Sequence, residues 1–92
     1  MPSKDDYFQP GAILHEAIVG AFHARGGGFQ AWCRSVGLQP TAVRNATFGQ
    51  SRGPRGKELL ALAIEAAGPD FVKFTYDRRM AEAAEKIKQG AA

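Results

Sequence analysis

The sequence predicts an all-α fold: a compact helix-turn-helix domain of four or five helices with a C-terminal helical tail. Apolar residues recur three and four positions apart in several segments, which is the spacing of one helical face. Glycine and proline signals separate these segments at 26–28, at 37–40 and at 68–69. With 92 residues, of which 45% are hydrophobic, the chain is long enough for one small globular domain.

Three parts are predicted along the chain: a lead-in over residues 1–9, the helix-turn-helix domain over 10–74, and the helical tail over 75–92. In the lead-in, Tyr7 and Phe8 are apolar enough to dock on the domain. The first helix is predicted over about 11–25 and ends at the three glycines. Its core-facing stripe is expected to be Leu14, Ala17, Ile18, Ala21 and Phe22.

Residues 29–48 predict two short helices joined at Gly37, which is free to take a positive φ. Pro40 suits the first turn of the second helix, where a missing N–H costs nothing. The first helix is expected to bury Phe29, Trp32, Cys33 and Val36, and the second to bury Val43 and Ala46. The outer face of the second helix then carries Thr41, Ala42, Arg44 and Asn45. This spacing is that of a helix-turn-helix.

The following helix is predicted over about 54–67, with Gly68 just past its end and Pro69 preventing it from restarting. Its apolar face consists of Leu59, Leu60, Ala63, Ile64 and Ala67. Residues 70–76 fit either a short helical turn, packing Phe71 and Phe74 on the bundle, or a short strand; we favour the turn. The last segment is predicted to be helical, with a thin apolar stripe of Met80, Ala84 and Ile87.

Charge is distributed unevenly along the chain. The 41 residues from 17 to 57 contain no Asp or Glu, and all nine carboxylates lie outside this window. The basic residues of the window are Arg25, Arg34, Arg44, Arg52, Arg55 and Lys57. The net charge of +3 therefore hides a centre of one sign, which favours a polyanionic partner over chance clustering on a solvated surface.

A helix-turn-helix and a basic centre together predict binding to double-stranded DNA, with the recognition helix at about 39–47 in the major groove. Gln39, Thr41, Arg44 and Asn45 carry groups able to read base edges; phosphate contact or plain exposure is the alternative for each. The phosphate contacts are expected to come from Arg25, Arg34, Arg52, Arg55 and Lys57.

Other classes of function find little in the sequence. His15 and His23 are too far apart for an i, i+4 metal pair, and Cys33 falls on an apolar helix face. No Ser-His-acid signature is present, so we expect no enzyme, no metal and no cofactor. No apolar run approaches the roughly 18–20 residues of a membrane span, and the expected location is the cytoplasm, on the nucleoid.

Two runs carry a resemblance: A-W-C-R-S-V-G-L-Q-P-T-A-V-R-N-A at 31–46 and G-P-R-G-K-E-L-L-A-L-A-I-E-A-A-G-P-D-F-V at 53–72. They resemble the Ner-like, lambda-repressor-like helix-turn-helix regulators of phage or phage-derived genes, over roughly residues 12–74. The resemblance implies an all-helical DNA-binding domain in transcriptional control, with base contacts from Pro40 through Asn45. The chain departs from the family in a longer, more basic loop at 49–55 and in the tail at 75–92.

The function expected is therefore a sequence-specific, DNA-binding transcriptional regulator. One alternative is an architectural or packaging component, such as a small terminase-like or excisionase-like protein. Another is a protein-interaction module that uses the same fold without DNA. Besides double-stranded DNA, the partners expected are a second copy through 70–92, and RNA polymerase or another regulator; no membrane is expected.

Overall fold

The computed structural model describes residues 7–91, with side chains to residue 88, and within that range the chain is all-helical with no strand. This confirms the predicted fold class. In chain order the helices are α1 (Ala12–Arg25), α2 (Phe29–Ser35), α3 (Pro40–Phe48), α4 (Pro54–Ala67) and α5 (Pro69–Ala91). None of the helices described is long and apolar enough to cross a membrane.

Helix α1 lies at the centre of the domain and packs against each of the other four helices. The predicted stripe is confirmed: Leu14, Ala17, Ile18, Ala21 and Phe22 are all buried. Gly26, with φ 91°, ends the helix, and its N–H donates to the carbonyl of His23 at 3.0 Å. The left-handed φ favours glycine at this position because a Cβ would be strained there.

Helices α2 and α3 form the predicted helix–turn–helix. Gly37 has φ 74°, and the N–H of Leu38 donates to the carbonyl of Cys33 at 2.8 Å, which closes the turn. Leu38 is half-buried against the core, and Val43 and Ala46 are buried from α3. Two details differ. Val36 is 52% exposed because it caps α2 instead of lying within it, and Trp32 is only half-buried.

Helix α4 spans the predicted range, and its predicted apolar face is buried in full. One further buried position is Gly56, in the first turn. A Cβ built on Gly56 would lie 2.0 Å from the carbonyl oxygen of Ser51. The glycine therefore allows the loop before α4 to lie directly against the helix.

For 68–76, the favoured helical conformation and the position of Gly68 are confirmed, while the stop at Pro69 and the packing of Phe71 and Phe74 on the bundle are wrong. Pro69 does not stop the chain: Gly68 alone separates α4 from α5, and Pro69 occupies the first position of α5, where its missing N–H has no helical partner. The segment 70–76 is thus part of one 23-residue helix, Pro69–Ala91. Phe71 and Phe74 point to solvent, with Phe74 68% exposed. Val72 and Tyr76 are the residues that pack on the bundle.

The chain before α1 is fastened to α5. Phe8 is buried and meets the ring of Tyr76 edge-on at 5.1 Å, and the N–H of Gln9 donates to the Tyr76 hydroxyl at 3.0 Å. The hydroxyl of Tyr7 donates to Asp77, and this hydrogen bond holds the pKa of that carboxyl below its usual range. Docking of these two aromatic residues is confirmed, while residues 1–6 of the predicted lead-in lie outside the described residues.

The second half of helix α5, as far as residue 88, is mostly exposed to solvent. The ion pair from Arg79 to Glu16, at 2.8 Å, ties it to α1, but Met80 and Ile87 of the predicted stripe are exposed, and Ala84 is exposed as well. An exposed apolar stripe on a long helix is consistent with pairing, and self-association through 70–92 stays a prediction.

Candidate nucleic-acid interface

The outer face of α3 is exposed over most of its first two turns. Thr41, Ala42 and Arg44 are exposed on the helix, and Gln39 is exposed just before it. Gln39 takes an extended conformation at the N-cap without a side-chain hydrogen bond to the helix, and the first turn contains no acidic residue. The N-terminal N–H groups and the positive end of the helix dipole therefore meet no carboxylate from α3 itself, which suits an anionic partner.

One groove lies between α1, the start of α2 and α3, and we refer to it as the α1–α3 groove. Its polar lining consists of His15, His23, Gln30, Thr41 and Arg44. Among the residues described, no acidic side chain lines it. Two of the predicted base-contact residues, Thr41 and Arg44, thus share a groove with side chains from two other helices, and Pro40 lies at its edge, half-buried.

A second groove lies on the other side of α3, between the turn and the start of α4. It brings Gln39, Asn45 and Arg55 together, with Ser51 and Leu59 in its floor. Asn45 is half-buried, and its backbone carbonyl accepts the N–H groups of Gln50 and Ser51 at 2.9 and 3.2 Å. Gln39 and Asn45 therefore border the exposed face of α3 on the side opposite to Thr41.

The predicted phosphate-contact residues do not form one cluster. Arg34 lies one turn after Gln30 on the same side of α2, so it borders the surface around α3. Arg52 is exposed in the loop before α4, where its Nε donates to the carbonyl of Gly49 at 2.9 Å. Lys57 is exposed in the first turn of α4. These three cations are exposed on α2, in the loop after α3 and on α4.

Arg25 and Arg55 are already engaged within the protein. Arg25 donates to the carbonyl of Ala66 on α4 and lies beside Trp32 of α2. Arg55 pairs with Glu58 at 3.0 Å, where both side chains are well exposed. An exposed pair of this kind is weak, about 0–1 kcal/mol, so Arg55 remains available to exchange partners.

Four side chains from α1 and α3 form a cluster at the base of the α1–α3 groove. The ring of His15 stacks on Phe48 at 4.4 Å, and its Nδ1 lies 2.7 Å from Oγ1 of Thr47. The guanidinium of Arg44 lies over the same Phe48 ring, 5.2 Å from its centroid. Burial, and secondarily the nearby charge of Arg44, lowers the pKa of His15. The lowered pKa favours the neutral imidazole, and the ring of His15 supports Phe48, on which Arg44 rests.

Sequence reasoning missed His15, Gln30 and Thr47 as parts of this surface. His15 falls outside the core stripe of α1, but its stacking partner is 33 positions away, and no local pattern signals that contact. Thr47 is fully buried despite its hydroxyl, because Oγ1 bonds both to His15 and to the carbonyl of Arg44. Polar residues satisfied in this way cannot be recognised from periodicity alone.

The residues considered as metal ligands, His15, His23 and Cys33, do not form a metal site. Among the residues described, no three His, Cys, Asp or Glu side chains form a group able to hold a metal ion. Cys33 is fully buried, and this burial raises the pKa of its thiol.

Comparison with family models, with curated proteins and with solved structures finds no significant match to this chain. The resemblance to the Ner-like regulators therefore stays a prediction, and the functional argument depends on the surface around α3.

Proposed function

We propose that this protein is a sequence-specific double-stranded DNA-binding regulator of transcription that lays α3 in the major groove. The observation that carries the proposal is the surface around α3, an exposed polar helix face between two grooves. Three further cations are exposed on the neighbouring elements: Arg34 on α2, Arg52 in the loop after α3 and Lys57 on α4. Helix α3 itself contributes Arg44 and no carboxylate.

The dimensions of α3 agree with this role. Nine residues make a helix about 13–14 Å long, and the major groove is about 12 Å wide. Thr41 and Arg44 are three positions apart and project from one side of α3, so both are able to reach base edges when the helix enters the groove. In this docking arrangement the first helix of the motif crosses the backbone, which brings Arg34 of α2 near phosphates.

Two acidic side chains of α5 are paired with cations of the same helix. Asp77 pairs with Lys73 at 2.9 Å and Glu82 pairs with Arg78 at 3.3 Å, both within α5. Helix α5 packs on α1, α4 and the chain before α1. The helix–turn–helix itself lies within the acid-free residues 17–57, and this favours a polyanion such as DNA over a protein partner. On this proposal the chain acts on nucleoid DNA in the cytoplasm, with RNA polymerase or another regulator as its protein partner.

The proposed division between base reading and phosphate contact predicts different effects for two arginines. Arg44→Ala should weaken binding to the preferred site, obtained by selection from random duplexes, by about 1–3 kcal/mol and relax the preference at one base position. Arg52→Ala should weaken preferred and random duplexes alike, because a phosphate contact carries no sequence information. Fluorescence anisotropy with both duplexes measures the two effects.

Arg78→Ala is the matched control, since Arg78 lies on α5 in an exposed pair with Glu82. It should leave both affinities nearly unchanged. If the Arg44 and Arg52 variants lose affinity in the same pattern, α3 is not the reading element. Selection that recovers no preferred duplex, together with tight binding to all of them, would instead identify an architectural or packaging protein.

A further inference from the structure

The hydrogen bonds of the cluster at the base of the α1–α3 groove fix the state of His15. The hydroxyl of Thr47 donates its one proton to the carbonyl of Arg44, at 2.9 Å. Its oxygen must therefore accept the hydrogen bond from Nδ1 of His15, at 2.7 Å. A neutral imidazole with its proton on Nδ1 has its lone pair on Nε2. Nε2 is consequently the nitrogen that gains a proton on acidification, and the bond to Thr47 is kept.

The His15 ring is held in place as well as oriented. It stacks on Phe48 and meets the ring of Phe29 edge-on, with centroids 5.7 Å apart. The ring is half-buried and lines the α1–α3 groove. Of its two nitrogens, Nε2 is the one that Thr47 does not engage. A fixed ring is able to present a new N–H to a ligand with little loss of side-chain entropy.

Burial, and secondarily the charge of Arg44, opposes the protonation of His15 in the free protein. Arg44 of α3 disfavours the imidazolium, and His23 lies further along α1 in the same groove. Glu16, also on α1, favours the imidazolium weakly while paired with Arg79. The residues of α2 that line the groove carry no charge; they include Phe29 and Gln30. An anion placed in the groove would reverse this balance, because it attracts both Arg44 and a protonated His15.

We propose that the α1–α3 groove binds a backbone phosphate of DNA, and that His15, protonated on both ring nitrogens in the complex, donates an Nε2–H hydrogen bond to it. One proton is taken up from solvent for each protein bound, and the phosphate diester keeps its single negative charge. Thr41 and Arg44 project from the α3 side of the groove toward the base edges next to that phosphate. This inference rests on the DNA binding proposed above.

The sign of the pH dependence follows from the pKa of His15. Burial lowers this pKa in the free protein, and the phosphate raises it in the complex. The added affinity is therefore fully present below the pKa of the free protein and is lost as the pH rises through the pKa of the complex. Between these two pKa values, the association constant should fall about tenfold for each pH unit gained, as expected for one linked proton.

The experiment follows the ring signals of both histidines by NMR from pH 5 to 8, with the full chain free and saturated with a mixed-sequence 16-base-pair duplex at low salt. The pKa of His15 should be higher in the complex. Binding by anisotropy over the same pH range then compares the wild type with H15Q, whose amide is still able to donate to Thr47 but does not titrate. R78Q is the control, because Arg78 lies on α5 in an exposed pair with Glu82 and does not line the groove.

The expected result is a steep pH profile for the wild type and R78Q, and a flatter one for H15Q. An unchanged or lowered pKa of His15 in the complex overturns the inference, as does a profile that is the same in H15Q and the wild type. Both outcomes leave DNA binding itself standing. Absence of duplex binding at every pH overturns the proposed function.

Discussion

Gly56→Ala should lower the free energy of unfolding by about 3 kcal/mol or more, although alanine is normally the better helix former. Gly56 lies in the first turn of α4 and is buried under the preceding loop. The added Cβ would lie 2.0 Å from the carbonyl oxygen of Ser51 and 2.6 Å from its carbonyl carbon. Since these are backbone atoms, relief requires movement of the chain and not of one side chain.

The loop has little freedom to make that movement. The N–H groups of Gln50 and Ser51 both donate to the carbonyl of Asn45, at 2.9 and 3.2 Å. Displacing Ser51 would therefore loosen the end of α3 as well as the start of α4. For a domain of this size, a loss of 3 kcal/mol corresponds to a fall in Tm of roughly 12–24 °C.

Gly20→Ala is the matched control for this substitution. Gly20 lies within α1 and is exposed, and a Cβ added there would have no atom within 4 Å beyond its own helix backbone and chain neighbours. Alanine there should raise stability by about 0.5–1 kcal/mol. Thermal unfolding followed by circular dichroism measures both variants. If Gly56→Ala raises the stability of the protein as Gly20→Ala does, the loop does not lie against α4.

Trp32→Ala should have the second largest effect, a loss of about 2–4 kcal/mol. The indole stacks on Phe22 at 5.1 Å with an interplanar angle of 29°, and lies 6.5 Å from the ring of Phe29. Full truncation of a buried Trp costs about 3–5 kcal/mol, and the figure here is lower because one part of Trp32 is exposed. The lost contacts join α2 to α1, so the helix–turn–helix itself is weakened.

Leu62→Ala provides the comparison, since Leu62 is a large apolar residue that is 44% exposed on α4. It should cost less than about 1 kcal/mol, as most surface substitutions do. Urea unfolding of the two variants gives the difference. Equal stabilities would mean that Trp32 contributes no more to the domain than an exposed leucine, and that its ring is free for another role.

The sequence predicted the buried apolar residues correctly where a single face of a helix packs on the core, as in α1 and α4. The stripe of α1, the turn at Gly37 and the apolar face of α4 all follow from local spacing, because burial along a helix repeats every three to four residues. The same reasoning failed at Pro69. A proline after a glycine fits both the end of one helix and the first position of the next, and only tertiary packing distinguishes the two.

The aromatic residues of α5 illustrate a second limit. Phe71 and Phe74 are more apolar than their neighbours, yet Val72 and Tyr76 face the core. Which face is buried depends on where α1 and Phe8 lie, and Phe8 is 68 positions before Tyr76. For the candidate site, the exposed positions of α3 could be predicted, while the contributions of His15 and Gln30 could not, because they come from other helices.

The central claim, that the surface around α3 binds DNA through its phosphates, is tested most directly by the salt dependence of binding to a duplex. On this account four cations lie at phosphates or in the groove: Arg34, Arg44, Arg52 and Lys57. Arg55 is able to join them. The logarithm of the association constant should therefore fall with the logarithm of the salt concentration at a slope of about −3.5 to −5. Affinity should then drop roughly 100- to 1,000-fold between 50 and 200 mM salt. A slope near zero, or no duplex binding at 50 mM salt, would contradict the account.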